Sequence, residues 1–290
     1  MADIRLRFDR DVVVVDGAMG TMLQREGISS DECAMLLNVL DPETILSIHE
    51  RYRLAGAHAL TTNSFGGTRA KLAEYGLEER VEDLNRAAVR LAKTARPDHV
   101  LADVGPCGLL LEPLGRATFD EVFEQYAEQI SALASEGPDA ILIETMADIA
   151  DARCALLAAR SVCDLPVFVS CTFDATGHME LSGTDPATAA VILEAAGASV
   201  IGMNCGLGPE QLLPLLERMA QATGLPLIVQ PNAGLPQLDA SFRAYYTGTA
   251  NDFADAAVAF RRAGAQFIGS CCGSTPAFTS AIYATVGESD

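Results

Sequence analysis

Val12-Val13-Val14-Val15-Asp16-Gly17-Ala18-Met19-Gly20-Thr21 carries the pattern on which the fold turns. A short β-branched run gives way at once to a carboxylate and a glycine-containing turn. The same pattern recurs along the chain. Strands are expected at Val12–Val15, Ala57–Thr61, His99–Val104, Ala140–Ile143, Val167–Thr172, Ser199–Met203, Leu227–Val229 and Gln266–Gly269. Between them lie amphipathic stretches at Glu43–Ala55, Glu79–Ala95, Phe119–Glu136, Asp148–Ser161, Pro186–Ala196, Pro209–Ala222 and Asp252–Ala263. Asp41-Pro42, Thr118, Asp185-Pro186 and Gly208-Pro209 read as helix starts. Gly56, Gly137, Gly197, Gly224 and Gly264 are placed to close helices in the left-handed conformation. Eight strands alternating with helices predict an α/β protein, a (β/α)8 TIM barrel forming one domain over residues 1–290. A doubly wound open sheet is the competing architecture.

The chemistry-bearing residues follow the strands. After the first comes Asp16-Gly17, and after the second Thr62-Asn63-Ser64-Phe65-Gly66-Gly67. Gly105-Pro106-Cys107-Gly108 and Glu144-Thr145 come next. Asn204-Cys205-Gly206, Pro231-Asn232-Ala233-Gly234 and Ser270-Cys271-Cys272-Gly273 follow the last three strands. In a barrel all of these share the C-terminal face, where such folds build their sites.

Cys271 and Cys272 are adjacent, and one trans peptide holds their Cα atoms too close for an easy disulfide. Both can reach one soft ion, and Cys205 completes a tripod. Three thiolates on Zn²⁺ leave one tetrahedral position open, the mark of a catalytic site. Softness favours zinc, whereas iron–sulfur clusters use four cysteines. Cys171 or Cys107 as a fourth ligand would make a closed structural site. Alternatively, one cysteine of the pair is buried and the other incidental. A substrate thiol at the open position would lose its proton and remain nucleophilic, which suits alkylation of sulfur better than hydrolysis.

Composition narrows the partners. With 290 residues and 49% hydrophobic content, the chain can bury a large core. A net charge of −19 argues against nucleic acid and anionic membrane surfaces. The eight cysteines are scattered, and the opening Met1-Ala2-Asp3-Ile4-Arg5 has no leader character. A reducing, cytoplasmic setting is expected. Cys33, Cys154 and Cys163 read as small buried hydrophobes. His49, His58, His99 and His178 are not assigned to the metal.

Asp16 and Glu144 each end an apolar run and should sit half desolvated at the rim, where a carboxylate needs a cation. A substrate ammonium group can supply it. The competing reading has them capping helices or pairing with arginine. Backbone amides at Gly66-Gly67 can receive a carboxylate. Asn63 and Asn232 are candidate orienting groups.

Taken together, these residues resemble the homocysteine S-methyltransferase family, and within it the homocysteine-binding module of cobalamin-dependent methionine synthases. The likeness runs from Asp16-Gly17-Ala18-Met19-Gly20-Thr21 to Gly269-Ser270-Cys271-Cys272-Gly273-Ser274-Thr275-Pro276. It takes in Thr62-Asn63-Ser64-Phe65, Asp103-Val104-Gly105-Pro106, Leu111-Glu112-Pro113-Leu114-Gly115, Leu181-Ser182-Gly183-Thr184-Asp185-Pro186, Asn204-Cys205 and Pro231-Asn232-Ala233-Gly234-Leu235-Pro236. The resemblance implies a zinc (Zn²⁺) enzyme of methionine biosynthesis with Cys205, Cys271 and Cys272 as ligands. It also implies that Asp16 and Glu144 hold the homocysteine amino group, with Asn63, Ser64 and Asn232 in the substrate site. Asn232 is expected to occupy the open zinc position until thiol arrives. Gly105-Pro106-Cys107-Gly108 with Leu111–Gly115 resembles the branch that takes its methyl group from a corrinoid. No Asp-x-His-x-x-Gly cobalamin motif occurs in the chain. Methylcobalamin, or another methyl-corrinoid, is therefore expected on a separate protein docking at the barrel mouth. The alternatives are a free-standing enzyme using S-methylmethionine, S-adenosylmethionine or betaine, and a corrinoid-linked methyltransferase acting on another thiol.

Overall fold

The computed structural model describes residues 3–8, 11–238 and 244–287. Eight strands form: β1 (Val13–Val14), β2 (Ala59–Thr61), β3 (His99–Val104), β4 (Ala140–Met146), β5 (Val167–Cys171), β6 (Val200–Asn204), β7 (Leu227–Gln230) and β8 (Ala265–Ile268). They pair in parallel in the order β1-β8-β7-β6-β5-β4-β3-β2. A parallel bridge from Val15 to Ala59 then joins the two end strands. That contact rules out the open sheet and gives a nearly closed (β/α)8 barrel.

The principal helices are α1 (Pro42–Leu54), α2 (Val81–Thr94), α3 (Phe119–Ala134), α4 (Ile149–Val162), α5 (Pro186–Ala196), α6 (Pro209–Ala220), α7 (Ala250–Arg262) and α8 (Pro276–Ile282). Asp41, Thr118 and Asp185 accept backbone N–H bonds as N-caps of α1, α3 and α5, as their spacing predicts. Gly56, Gly137, Gly197 and Gly264 adopt positive φ. Gly224 does not, because α6 has already ended at Ala220. Short helices at Gly20–Arg25, Leu37–Leu40 and Arg69–Ala73, and a hairpin pairing Gln237–Leu238 with Ala244–Tyr245, arise in the loops. Their runs are too brief to show a period in sequence.

Strand alternation divides the core in two. Val100, Val104, Ile141, Ile143 and Val169 face the helices. Val13, Leu101, Leu142, Phe168, Ile228 and Phe267 fill the barrel interior. Phe8 closes the interior cluster, its ring 6.0 Å from those of Phe168 and Phe267. Above this apolar plug the same inward-facing parity continues with polar residues: Asp103 after Leu101, Glu144 after Leu142, and Gln230 after Ile228. Packing below thus positions the site above.

Candidate metal centre and substrate cavity

Cys205, Cys271 and Cys272 converge at the C-terminal rim, with sulfur atoms all within 4.8 Å of one another. The Sγ of Cys272 lies 4.0 Å from those of both Cys205 and Cys271. A tetrahedral zinc with Zn–S of about 2.3 Å would set its sulfurs roughly 3.8 Å apart. The donor set and its spacing therefore fit a thiolate-bound metal with little adjustment. Cys171 and Cys107 are fully buried and outside this cluster. Burial pushes the Cys171 thiol up to about 12, as expected of an inert core cysteine. Cys154 is likewise buried, whereas Cys33 and Cys163 are half-buried; all eight cysteines are free.

The segment after β7 ties the tripod together. Cys205 N–H donates to the Gln230 carbonyl (3.1 Å), and Cys271 N–H to the Pro231 carbonyl (2.8 Å). Ala233 N–H donates to the Cys272 carbonyl (2.9 Å), and Asn232 N–H to that of Leu207 (3.0 Å). The buried Oδ1 of Asn232 has no partner among the described residues. Cys205 itself sits at φ 61° and Thr145, beside Glu144, at φ 60°. Left-handed backbone costs a non-glycine residue about 1–2 kcal/mol, and such strain collects at functional sites. The thiols interact strongly. Sulfhydryl hydrogen bonds from Cys271 and Cys272 draw the Cys205 thiol far down. The bond to Cys205, with burial and the accumulating negative charge, pushes Cys272 up to about 12.

The sulfurs form one wall of a cavity of about 380 Å³ that also takes in Asp103 and Glu144. Asp16, 2% exposed, accepts hydrogen bonds from the Thr61 N–H (2.9 Å) and hydroxyl (3.0 Å). Glu144 accepts from the Asn204 amide and, at 3.5 Å, from the Thr145 hydroxyl. Asn204 is held in turn by the Ser170 hydroxyl (2.7 Å) and the Thr145 N–H (2.9 Å). Desolvation raises Asp16 well above the carboxylate range and Glu144 to about 7. Among the described residues neither acid pairs with arginine or caps a helix, and no Lys or Arg lines the cavity. Unpartnered buried oxygens on Asp103, Gln230 and Ser270 belong to cavity-lining residues. A negative, hydrogen-bond-hungry cavity of this kind calls for a cationic, polar ligand.

Asn63 and Ser64 line the same cavity, and each is also held by the protein. The Asn63 amide is engaged by the Ala34 carbonyl (2.8 Å) and Asn38 (3.0 Å). Ser64 is fully buried, and its hydroxyl donates to the Asp103 carbonyl (2.6 Å). Gly67 N–H is taken up by the Ser64 carbonyl (3.0 Å). Sequence reasoning missed Asp103, Asn204 and Gln230 as members of this site. Their inward parity, two residues beyond an interior position, was the available signal. The histidines lie elsewhere: His49 is fully buried in α1, and His178 belongs to a turn organised by Asp174.

Known proteins share both the sequence and this architecture. The profile described as homocysteine S-methyltransferase matches residues 13–286. The methionine synthases of Mycobacterium tuberculosis and Mycobacterium leprae are each 34% identical over 297 residues, covering 96% of this chain. The chain spans about a quarter of these curated relatives, 25% and 24% of their lengths. The oxidized form of the homocysteine methyltransferase MmuM from Escherichia coli superposes with a TM-score of 0.82 at 26% identity, covering 97% of this chain and 99% of that one. Its metallated form gives 0.79 at 26% identity, covering 95% and 96%. A thiol tripod above a parallel barrel, matched by a profile over nearly the whole length, settles the kinship: the chain belongs to the homocysteine S-methyltransferase family.

Proposed function

We propose that this barrel binds homocysteine and transfers a methyl group to its sulfur, producing methionine. The observation that carries this reading is one cavity with three thiols on one wall, the carboxylates of Asp103 and Glu144, and no Lys or Arg among its lining residues. Cys205, Cys271 and Cys272 are assigned as ligands of Zn²⁺, and Asp16 and Glu144 as receptors for the α-ammonium group. Bound to three thiolates, Zn²⁺ supplies the stabilisation that lets a thiol be deprotonated at neutral pH while staying nucleophilic. The protein's own contribution is placement. Backbone bonds from the segment after β7 hold the three ligands at one rim, while the carboxylates fix the amino acid so that its sulfur faces them. Methyl transfer then forms the sulfur–carbon bond as the donor–carbon bond breaks, with that electron pair leaving on the donor and the thiol proton passing to solvent.

For the donor, the likeness of Gly105-Pro106-Cys107-Gly108 and Leu111–Gly115 to the corrinoid branch supports a methyl-corrinoid. Residues 1–290 are assigned as one homocysteine-binding domain. The eight free cysteines support a reducing, cytoplasmic setting. No helix among the described residues is long and apolar enough to cross a membrane.

The test is a matrix of donors against thiols with zinc-loaded protein, following methionine by mass spectrometry. Methylcobalamin, S-methylmethionine, S-adenosylmethionine and betaine are each offered with homocysteine and with 2-mercaptoethanol. Methionine formed from methylcobalamin supports the reading. Turnover only with a sulfonium or betaine overturns the donor assignment, and no methionine with any donor overturns the reaction.

A further inference from the structure

Asp103 lies on β3, two residues beyond the interior Leu101, and is 5% exposed. It lines the cavity that holds the three thiols, and it shares that lining with Glu144. Glu144 is already braced from behind by Asn204 and Thr145. Asp103 is not so braced: its Oδ1 finds no partner among the described residues. Its backbone is fixed, with its N–H donating to the Thr62 hydroxyl (2.9 Å) and its carbonyl accepting from Ser64 (2.6 Å). Two carboxyl groups lining one cavity whose lining holds no Lys or Arg favour a held proton or a bound cation. Burial and the charges of Glu144 and Asp16 make ionisation of Asp103 costly in the empty cavity. An arriving cation relieves that cost.

We propose that Asp103 is a further anchor for the substrate's α-ammonium group, its free oxygen forming a cradle with Glu144 in the cavity that both line. The inference rests on the reading of the cavity as an amino-acid site. A primary ammonium has three N–H donors and no acceptor, so an unpartnered, buried carboxylate oxygen facing it supplies both a hydrogen bond and a counter-charge. The proton held by the acidic pair is released to solvent as the cation enters. Asp103 therefore favours thiols that carry a primary amine.

The experiment is calorimetric titration of zinc-loaded protein with L-homocysteine and with 4-mercaptobutyrate, which lacks only the amino group. Wild-type protein is expected to bind homocysteine at least tenfold more tightly. Asp103→Asn should weaken homocysteine at least tenfold while leaving 4-mercaptobutyrate within about twofold, with zinc content unchanged. Equal weakening of both ligands, or of neither, overturns the role of Asp103. Wild-type protein that does not bind homocysteine overturns the underlying reading instead. Should Asp103→Asn fail to fold, wild-type protein is titrated with N-methyl- and N,N-dimethylhomocysteine. A stepwise loss as N–H donors are removed supports the cradle, and undiminished affinity overturns it.

Discussion

At the residue scale, the centre combines a strained backbone with a crowded set of sulfurs. Cys205 is held at φ 61° by the Gln230 carbonyl, which keeps its thiol turned toward Cys272. Replacing it separates the two contributions. Cys205→Ala and Cys205→Gly should each lose zinc, seen as less than one metal per chain by elemental analysis. In zinc-free urea unfolding, the glycine variant should exceed the alanine variant by about 1 kcal/mol, because only alanine bears the cost of left-handed backbone. Equal stabilities would mean that this φ carries no strain. Gly202 poses the opposite constraint: a Cβ there would lie 1.8 Å from the Ile228 carbonyl oxygen across β6 and β7. Gly202→Ala should destabilise the protein by 3 kcal/mol or more, on the order of the overpacking penalties of tight cores, as read from the urea midpoint.

At the scale of elements, helices pack through polar contacts as well as apolar ones. Tyr126 of α3 donates to Asp151 of α4 at 2.8 Å and accepts from the Cys107 N–H at 3.0 Å. Burial raises Asp151 to about 6, above its value of roughly 3.9 in an unfolded chain. The folded state therefore holds the extra proton between about pH 4 and 6. This contribution to stability is complete below that window and is lost as pH rises through it. Asp151→Asn keeps an oxygen for Tyr126 and removes the titration. It should be more stable than the parent at pH 7, by at most ~3 kcal/mol, with the gap closing near pH 4. Urea midpoints measured from pH 4 to 8 check this, and a gap independent of pH would contradict it.

At the scale of the whole molecule, the metal site sits on the rim and the core lies beneath it. The interior cluster around Phe168 and Phe267 and the helix-facing cluster involve none of the three rim thiols. Removing zinc with a chelator should lower the melting temperature yet leave a cooperative transition and an unchanged far-ultraviolet circular dichroism spectrum. The stabilisation from a metal present at a thousand times its dissociation constant is about 4 kcal/mol. Collapse of the spectrum on chelation would show that the metal is structural.

The alternation of short apolar runs with helical periods, and the polar clusters after them, sufficed to place eight strands and the three cysteines on one face. Both follow from local rules: side-chain parity, capping and the right-handed strand–helix–strand crossover. Tertiary structure decided what depends on contacts distant in sequence. The bridge from Val15 to Ala59 closed the barrel. The bonds from Gln230, Pro231 and Ala233 drew Cys205 toward Cys271 and Cys272. The inward turn of Asp103 placed it with Glu144 in the lining of the cavity. Asn63 and Ser64, which their motif suggested for substrate, line the cavity while also bonding to Asn38, Ala34 and Asp103. A sequence pattern specifies which face a residue takes, but its hydrogen-bond partner is set by whatever neighbouring strands and loops bring within about 3 Å.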